Sequence, residues 1–402
     1  MKYLVLLLDG MADYPVEQLG GKTPMEVAKK PNIDFLAQNG EVGLCQTVAE
    51  GLKPGSDVAN LSVLGYDSKV CYTGRSPLEA ASIGINLQPT DVAMRCNLVT
   101  LSDEDKYEDK TMIDYCAGDI SSEEAAVLID YIQKNLGNEI YKFYAGVGYR
   151  HCLVINNGTT DLGTMTPPHD ISLKVIGNYL STNKNAEPLL QLMKKSFDLL
   201  SNHPINLKRV EKGLNPANSI WLWGGGRKPS LEDFYHKNGV HGAIISAVDL
   251  LKGIGICANM QVPDVPGATG YIDSDFTAKK NKAIELFEQG MDLVYVHMEA
   301  PDECGHRGEV QNKLKAIELI DKMVAGPMIE YLSGQPHRIL VMPDHPTPLS
   351  TRTHASNAVP YVLYDSEHPV AGVESVNEKT AAETKIFVSH GPSIMDRLIG
   401  KK

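Results

Sequence analysis

The sequence predicts an α/β protein: a doubly wound, mostly parallel sheet carrying a smaller inserted α+β domain. Three observations carry that expectation. Short apolar runs stop abruptly at polar residues, as buried strands do when their carboxyl ends bear chemistry. Helical segments alternate with those runs. From about residue 86 to 175 the pattern changes to short alternating runs around one strong helix, as in a compact insert.

In chain order, the first run is KYLVLLL, which ends at Asp9-Gly10. It is far shorter than the roughly 20 residues of a membrane span, and no small-residue cleavage site follows it, so it reads as a strand. A helix is expected from Thr23, with Pro24 suited to its first position and Pro31 breaking the pattern. Ser56 follows a glycine turn in KPGSDVANLSVLGYD, at or near a helix N-terminus. In the middle region VAMRCNLVTL and IYKFYAGVGYRHCLVI supply two or three strands. Between them runs a helix from Ser121 to Leu136, opened by the capping-box pair Ser121 and Glu124. The glycine and prolines of TTDLGTMTPPHD mark the exit back to the core. WLWGGGRKP reads as a tight turn at a strand end, because it lacks the G-K-[ST] ending of a phosphate loop and the G-x-G-x-x-G spacing. A helix from Phe276 to Gln289, the strand DLVYVHM before Glu299-Ala300-Pro301-Asp302, and the strand RILVMP before Asp344-His345 complete the core. The expected organisation is a core in two parts, 1–85 and 176–402, with the insert over 86–175.

A chain of 402 residues should divide in two, since single cores stop growing near roughly 250–300 residues. Its 43% hydrophobic and 22% charged residues are ordinary for a globular protein. The net charge of −12 opposes nucleic-acid binding, which needs a basic footprint. An anionic substrate would therefore need a local cluster of arginine, lysine or metal. With no apolar run of membrane-spanning length, no membrane is expected and the cytoplasm is the expected location. The seven cysteines are scattered and include no C-x-x-C pair, so they are expected to be reduced and mostly buried.

The chemistry gathers at strand ends. Asp302 and His306 are four apart, so on a tight or helical turn both can face one ion. Taken alone, that spacing also suits a capping Asp and a solvent-facing His. Asp344 and His345 are adjacent, and on a regular strand they would point to opposite sides. An irregular strand end is needed for them to share an ion, with His354 nine residues later on a proline-rich loop. Asp9 precedes Gly10, which permits close approach of a ligand, although a strand-terminal Asp often only caps a helix. These oxygen and imidazole donors suit Mn²⁺, Mg²⁺ or Zn²⁺ better than a thiolate site, despite Cys304 lying between Asp302 and His306. Ser56 is equally a favoured N-cap and a group whose negative charge a helix N-terminus would stabilise. A serine hydroxyl becomes a useful nucleophile only when a base or a metal lowers its pKa.

Together LLLDG, PGSDVANLSVLGYD, PDECGH and PDHPTP…RTH resemble the alkaline phosphatase superfamily, and within it the cofactor-independent phosphoglycerate mutases of the archaeal type. TPMEVAKKPNIDFLAQNG, YTGRSPLEAASIGI and DVPGATGYIDSDFTAKKNKAI extend the resemblance over nearly the full length. It implies a sheet of alkaline-phosphatase type with the insert as lid. It also implies two divalent ions, manganese foremost with zinc, magnesium or cobalt as alternatives, and no 2,3-bisphosphoglycerate. One ion would be held by Asp302, His306 and His354, the other by Asp9, Asp344 and His345 with Ser56. Ser56 would take phosphate from phosphoglycerate and return it to the other hydroxyl, interconverting 3-phosphoglycerate and 2-phosphoglycerate as in glycolysis. Water must be excluded meanwhile. The small phosphorylated substrate calls for cations, arginine above all, and Arg75, Arg95, Arg150 and Arg227 are the candidates. Lys252 and His169 join Ser56 as catalytic candidates, His169 as a proton carrier. The same fold allows a homoserine kinase-like phosphotransferase, against which the missing ATP-binding motif counts, or a metal-dependent phosphatase. Oligomeric state is left open.

Overall fold

The apolar run after Met1 forms strand β1 (Lys2–Leu8), whose residues from Leu4 to Leu8 are wholly buried. The remaining strands are β2 (Glu41–Cys45), β3 (Val92–Leu101), β4 (Met112–Asp114), β5 (Tyr141–Tyr144), β6 (Arg150–Ile155), β7 (Ser219–Arg227), β8 (Gly242–Ile245), β9 (Leu293–Met298), β10 (His337–Met342), β11 (Val359–Asp365) and β12 (Phe387–Val388). The computed structural model describes residues 1–401. They fall into two units, one made of Met1–Tyr72 with the chain from Ser230 onward, the other of Thr73–Pro229.

The larger unit holds a seven-stranded sheet in the order β12-β2-β11-β10-β1-β9-β8. Only β11 runs against its neighbours β10 and β2; the other pairings are parallel. This is the mostly parallel α/β sheet expected from the apolar runs, since strands covered on both faces need no polar alternation. Leu7 of β1 pairs with Met342 of β10, and Leu8 with Met298 of β9, so three carboxyl ends lie side by side. Because β9 and β10 flank β1 on opposite sides, this is a switch point, where such sheets bind ligands. Among the helices, Thr23 opens Pro24–Val27 with a complete capping box, and Pro31 occupies the first position of the next helix, Pro31–Gln38. The proline that ends one helix thus begins another.

The smaller unit is an antiparallel sheet of order β4-β3-β6-β5, with β7 pairing on β3. Its core includes Met94, Leu98, Leu153, Ile220 and Leu222, covered by helices Ser122–Leu136 and Glu187–Leu200 through Leu128, Ile132, Leu189 and Met193. The unit is wider than the 86–175 expected from the sequence. The physical reason is that β7 pairs along β3 from Val92↔Arg227 to Val99↔Ser219. Hence TTDLGTMTPPHD is no exit, and Ile171 just beyond it is buried in the same core. The three glycines of WLWGGGRKP lie inside β7 rather than in a turn, with Gly224 at φ +64° beside a register shift between Ala93 and Arg95. A bulge, which needs left-handed backbone, explains that glycine. Ser121 accepts a bond from the Glu124 N–H at 3.3 Å, but the Glu124 carboxylate turns to Arg209 at 2.5 Å, so only half of the capping box forms.

All seven cysteines are free thiols, and five of them are buried. Among the described residues no helix is long and apolar enough to cross a membrane.

Candidate metal centre

The three adjacent strand ends deliver most of the expected ligands. Asp9 follows β1 and is 3% exposed, while Asp344 and His345 follow β10 and are fully buried. Because β10 ends at Met342, these two sit on irregular backbone, which removes the objection that neighbours on a strand diverge. After β9 the helix Ala300–Arg307 sets Asp302 and His306 one turn apart, with Oδ2 and Nε2 3.3 Å from each other. His354 approaches from the loop beyond β10, its Nε2 2.9 Å from His306 Nε2 and 3.5 Å from Asp302 Oδ1. His345 Nε2 lies 3.3 Å from Asp344 Oδ2 and 3.6 Å from Asp9 Oδ1. Ligand atoms of Asp9, Asp344 and His345 all fall within 4.8 Å of one another, as do those of Asp302, His345 and His354. The two groups therefore adjoin at His345.

Ser56 is the first residue of the helix Ser56–Val63, and its N-cap is Gly55, with no side-chain cap bond. The Ser56 hydroxyl is thus free of the capping duty that its position suggested. Its Oγ lies 3.2 Å from His345 Nε2. All six candidate ligands and the candidate nucleophile are brought together.

The residues fit a divalent cation. No Lys or Arg among the described residues hydrogen-bonds to Asp9, Asp302 or Asp344, and Asp9 Oδ1 has no hydrogen-bond partner although buried. Burial, and then the charges of Asp344 and Asp302, push the Asp9 carboxyl well above the usual carboxylate range. Burial would raise Asp302 too, but hydrogen bonds with His306 and His354 and the nearby His345 hold it well below that range. A buried carboxylate oxygen left without a partner, as in Asp9, is costly, and a divalent ion is the counter-charge that oxygen and imidazole donors accept. Burial pushes the Cys304 thiol up to about 12, which disfavours its thiolate form.

Residues that the sequence reading passed over hold this set in place. Asn60 donates to Asp344 Oδ2 and to the Ser56 carbonyl, both at 2.8 Å, while the Tyr295 hydroxyl donates to Asn60 Oδ1. Thr347 Oγ1 donates to Asp302, and His297 Nε2 lies 2.9 Å from Asp9 Oδ2. The available signal, for His297 alone, was a histidine inside the strand run LVYVHM.

Within the smaller unit, Arg95 bonds Glu79 through Nε at 2.7 Å and through Nη2, and lies 4.6 Å over the Trp223 ring. Arg75 Nε bonds the same Glu79 at 2.9 Å and is about half exposed. The exposed Arg150 lies against the Tyr149 ring, and the exposed His169 meets Trp223 and Tyr115 edge-on. Arg227 donates to the carbonyls of Thr90 at 2.7 Å and Gly158 at 2.8 Å. In the larger unit Lys252 pairs with Asp264 at 3.2 Å.

Comparison with known proteins adds the family. A family model described as 2,3-bisphosphoglycerate-independent phosphoglycerate mutase matches residues 37–206. A probable 2,3-bisphosphoglycerate-independent phosphoglycerate mutase of Geobacter sulfurreducens is 49% identical over 403 residues, covering 100% of both chains. The Methanosarcina barkeri phosphoglycerate mutase of the same description is 46% identical, again over 100% of both. Among solved structures, the cofactor-independent phosphoglycerate mutase of Thermoplasma acidophilum superposes with a TM-score of 0.70 at 28% identity, covering 100% of this chain and 99% of that one. A Pyrococcus horikoshii protein superposes with a TM-score of 0.84 at 28% identity, covering 100% and 98%.

Proposed function

Because the chain belongs to the 2,3-bisphosphoglycerate-independent phosphoglycerate mutases, we propose that it interconverts 3-phosphoglycerate and 2-phosphoglycerate through a phosphoserine at Ser56. The observation that carries this reading is the Ser56 hydroxyl, uncapped and 3.2 Å from His345, at the edge of a buried set of aspartates and histidines.

In the first half-reaction Ser56 loses its proton and its Oγ bonds to phosphorus, while the bond from phosphorus to the glycerate oxygen breaks and that oxygen gains a proton. In the second, the neighbouring glycerate hydroxyl loses its proton and takes the phosphoryl group, and Ser56 regains its hydrogen. The N–H groups of Ser56 and Asp57, at the start of the helix Ser56–Val63, would face the phosphoryl oxygens, while that of Val58 is taken by Asp57 Oδ1 at 2.9 Å. Asp302, His306 and His354 would hold one divalent ion, and Asp9, Asp344 and His345 with Ser56 the other, manganese in both. Such ions lower the pKa of the serine hydroxyl and offset charge building on the transferred group. Asn60 steadies Ser56 and Asp344 together. Arg75, Arg95, Arg150 and Arg227 meet the substrate's phosphate and carboxylate, the smaller unit serves as the lid that excludes water, and His169 and Lys252 assist proton transfer. No 2,3-bisphosphoglycerate is needed, because the serine carries the phosphoryl group, and the cytoplasm is the place of such a reaction.

The test is phosphorus NMR on the manganese-loaded protein with 3-phosphoglycerate, and separately with homoserine and ATP. 2-Phosphoglycerate should form without free phosphate. Net release of phosphate would select a phosphatase, and ATP-dependent O-phosphohomoserine a kinase. Ser56→Ala should abolish transfer while the protein stays folded and binds manganese; mutase turnover in that variant would refute the assignment.

A further inference from the structure

Behind Asp9 lies a row of buried polar groups that the proposed reaction does not use. His297 and Lys279 are fully buried, and Glu299 and Ser246 are each 3% exposed. His297 Nε2 lies 2.9 Å from Asp9 Oδ2. Its Nδ1 lies 3.1 Å from Glu299 Oε1 and 3.0 Å from Ser246 Oγ. Glu299 Oε1 also accepts from the Ala247 N–H at 2.8 Å, and its Oε2 pairs with Lys279 Nζ. Lys279 further donates to the His297 carbonyl at 2.8 Å. Asp9, His297, Glu299 and Lys279 thus form a line in which each group faces a partner of complementary hydrogen-bonding character.

Stability does not explain the row. Leu293, Val294, Tyr295, Val296 and Met298 of β9 are all fully buried, so the strand is already anchored by its packing on either side of His297. Replacing buried ion pairs by apolar residues is often neutral or stabilising. What the row does is local. It fastens Asp9 Oδ2 and leaves Oδ1 without a partner, 3.6 Å from His345 Nε2 on the side of Asp344. A carboxylate tied by one oxygen and open at the other is oriented to give a single oxygen to a cation. Partners behind a metal ligand commonly set its orientation and basicity.

We infer that His297, backed by Glu299, Lys279 and Ser246, is a positioning residue for Asp9 that sets the affinity of the cation site of Asp9, Asp344 and His345. The site of Asp302, His306 and His354 does not depend on it. This inference rests on the two-ion reading of the centre.

The experiment titrates Mn²⁺ by electron paramagnetic resonance of the free ion, into the wild-type chain and into His297→Gln and His297→Leu. Glutamine can keep a donor toward Asp9 but severs the link to Glu299, whereas leucine removes both. The wild type should bind two ions. Each variant should keep one ion at wild-type affinity and bind the other about 10- to 100-fold more weakly, leucine more so. Turnover should fall in step and return as Mn²⁺ is raised, a rescue that a merely structural role would not show. If leucine does not fold, as judged by circular dichroism, the glutamine variant decides alone. Two ions bound at wild-type affinity by a folded variant, or equal weakening of both, overturns the inference. Failure of the wild type to bind two ions would instead bring down the reading of the centre itself.

Discussion

Gly10 makes the residue-scale constraint plain. It follows Asp9 in left-handed backbone, φ +60°, and its N–H donates to Asp344 Oδ1 at 3.2 Å. A Cβ there would stand 2.6 Å from Asp302 Oδ1 and from Thr347 Oγ1, and 2.7 Å from the Asp302 Cα. Gly10→Ala therefore adds about 1–2 kcal/mol of backbone strain and also displaces a candidate ligand. Calorimetry should show a lower Tm, and Mn²⁺ titration should show affinity reduced about 10-fold or more, a loss of the size that disturbed ligand orientation brings. Unaltered manganese binding would show that Asp302 is not held by this approach. The glycine was visible in the sequence, but the reason for it was not, because Asp302 and Thr347 meet it only in the fold.

At the scale of the element, strand β6 carries its own pH dependence. His151 is 6% exposed; its Nδ1 accepts from the Gly146 N–H at 3.1 Å and its Nε2 has no partner. Burial lowers its pKa from 6.5 to about 3. The folded chain therefore resists a proton that the unfolded chain accepts, so stability present above pH 6.5 is lost as pH falls toward 3. The slope is about 1.4 kcal/mol per pH unit below the unfolded pKa. Urea unfolding at pH 7, 6 and 5 should show this slope, and His151→Gln should flatten it by roughly one proton's worth. An identical slope in the variant would place the dependence elsewhere. The strand itself was readable from CLVI, but the burial of its histidine depends on what covers it.

At the scale of the whole molecule, the two units divide the candidate residues. Every candidate metal ligand belongs to the larger unit, while Arg75, Arg95 and Arg150 belong to the smaller. Arg95 and Arg75 share Glu79, whose carboxyl burial would raise but which Arg95 and Arg75 together hold below its usual range. Arg95→Met should raise KM for phosphoglycerate by about 10- to 100-fold, the size of a lost charged hydrogen bond of roughly 1.5–3 kcal/mol. The number of manganese ions bound should not change, as steady-state kinetics and metal titration on the same preparation would show. An unchanged KM would remove Arg95 from the substrate's partners.

The sequence by itself determined the strand ends, the spacing of Asp302 and His306, and the helix that begins at Ser56, because each is set by a few neighbouring residues. Its motifs together also pointed to the family. Tertiary structure alone decided the order of the strands, since β1 lies between one strand about 290 residues further along the chain and another about 335 residues further. That pairing unites Asp9 with Asp344 and His345, and it sets His297 behind Asp9, a contact that no local pattern encodes. It likewise decided that the smaller unit extends to β7, because pairing with β3 joins segments far apart in the chain. Hydrophobic periodicity reports which side of an element is buried; it carries no record of which other element does the burying.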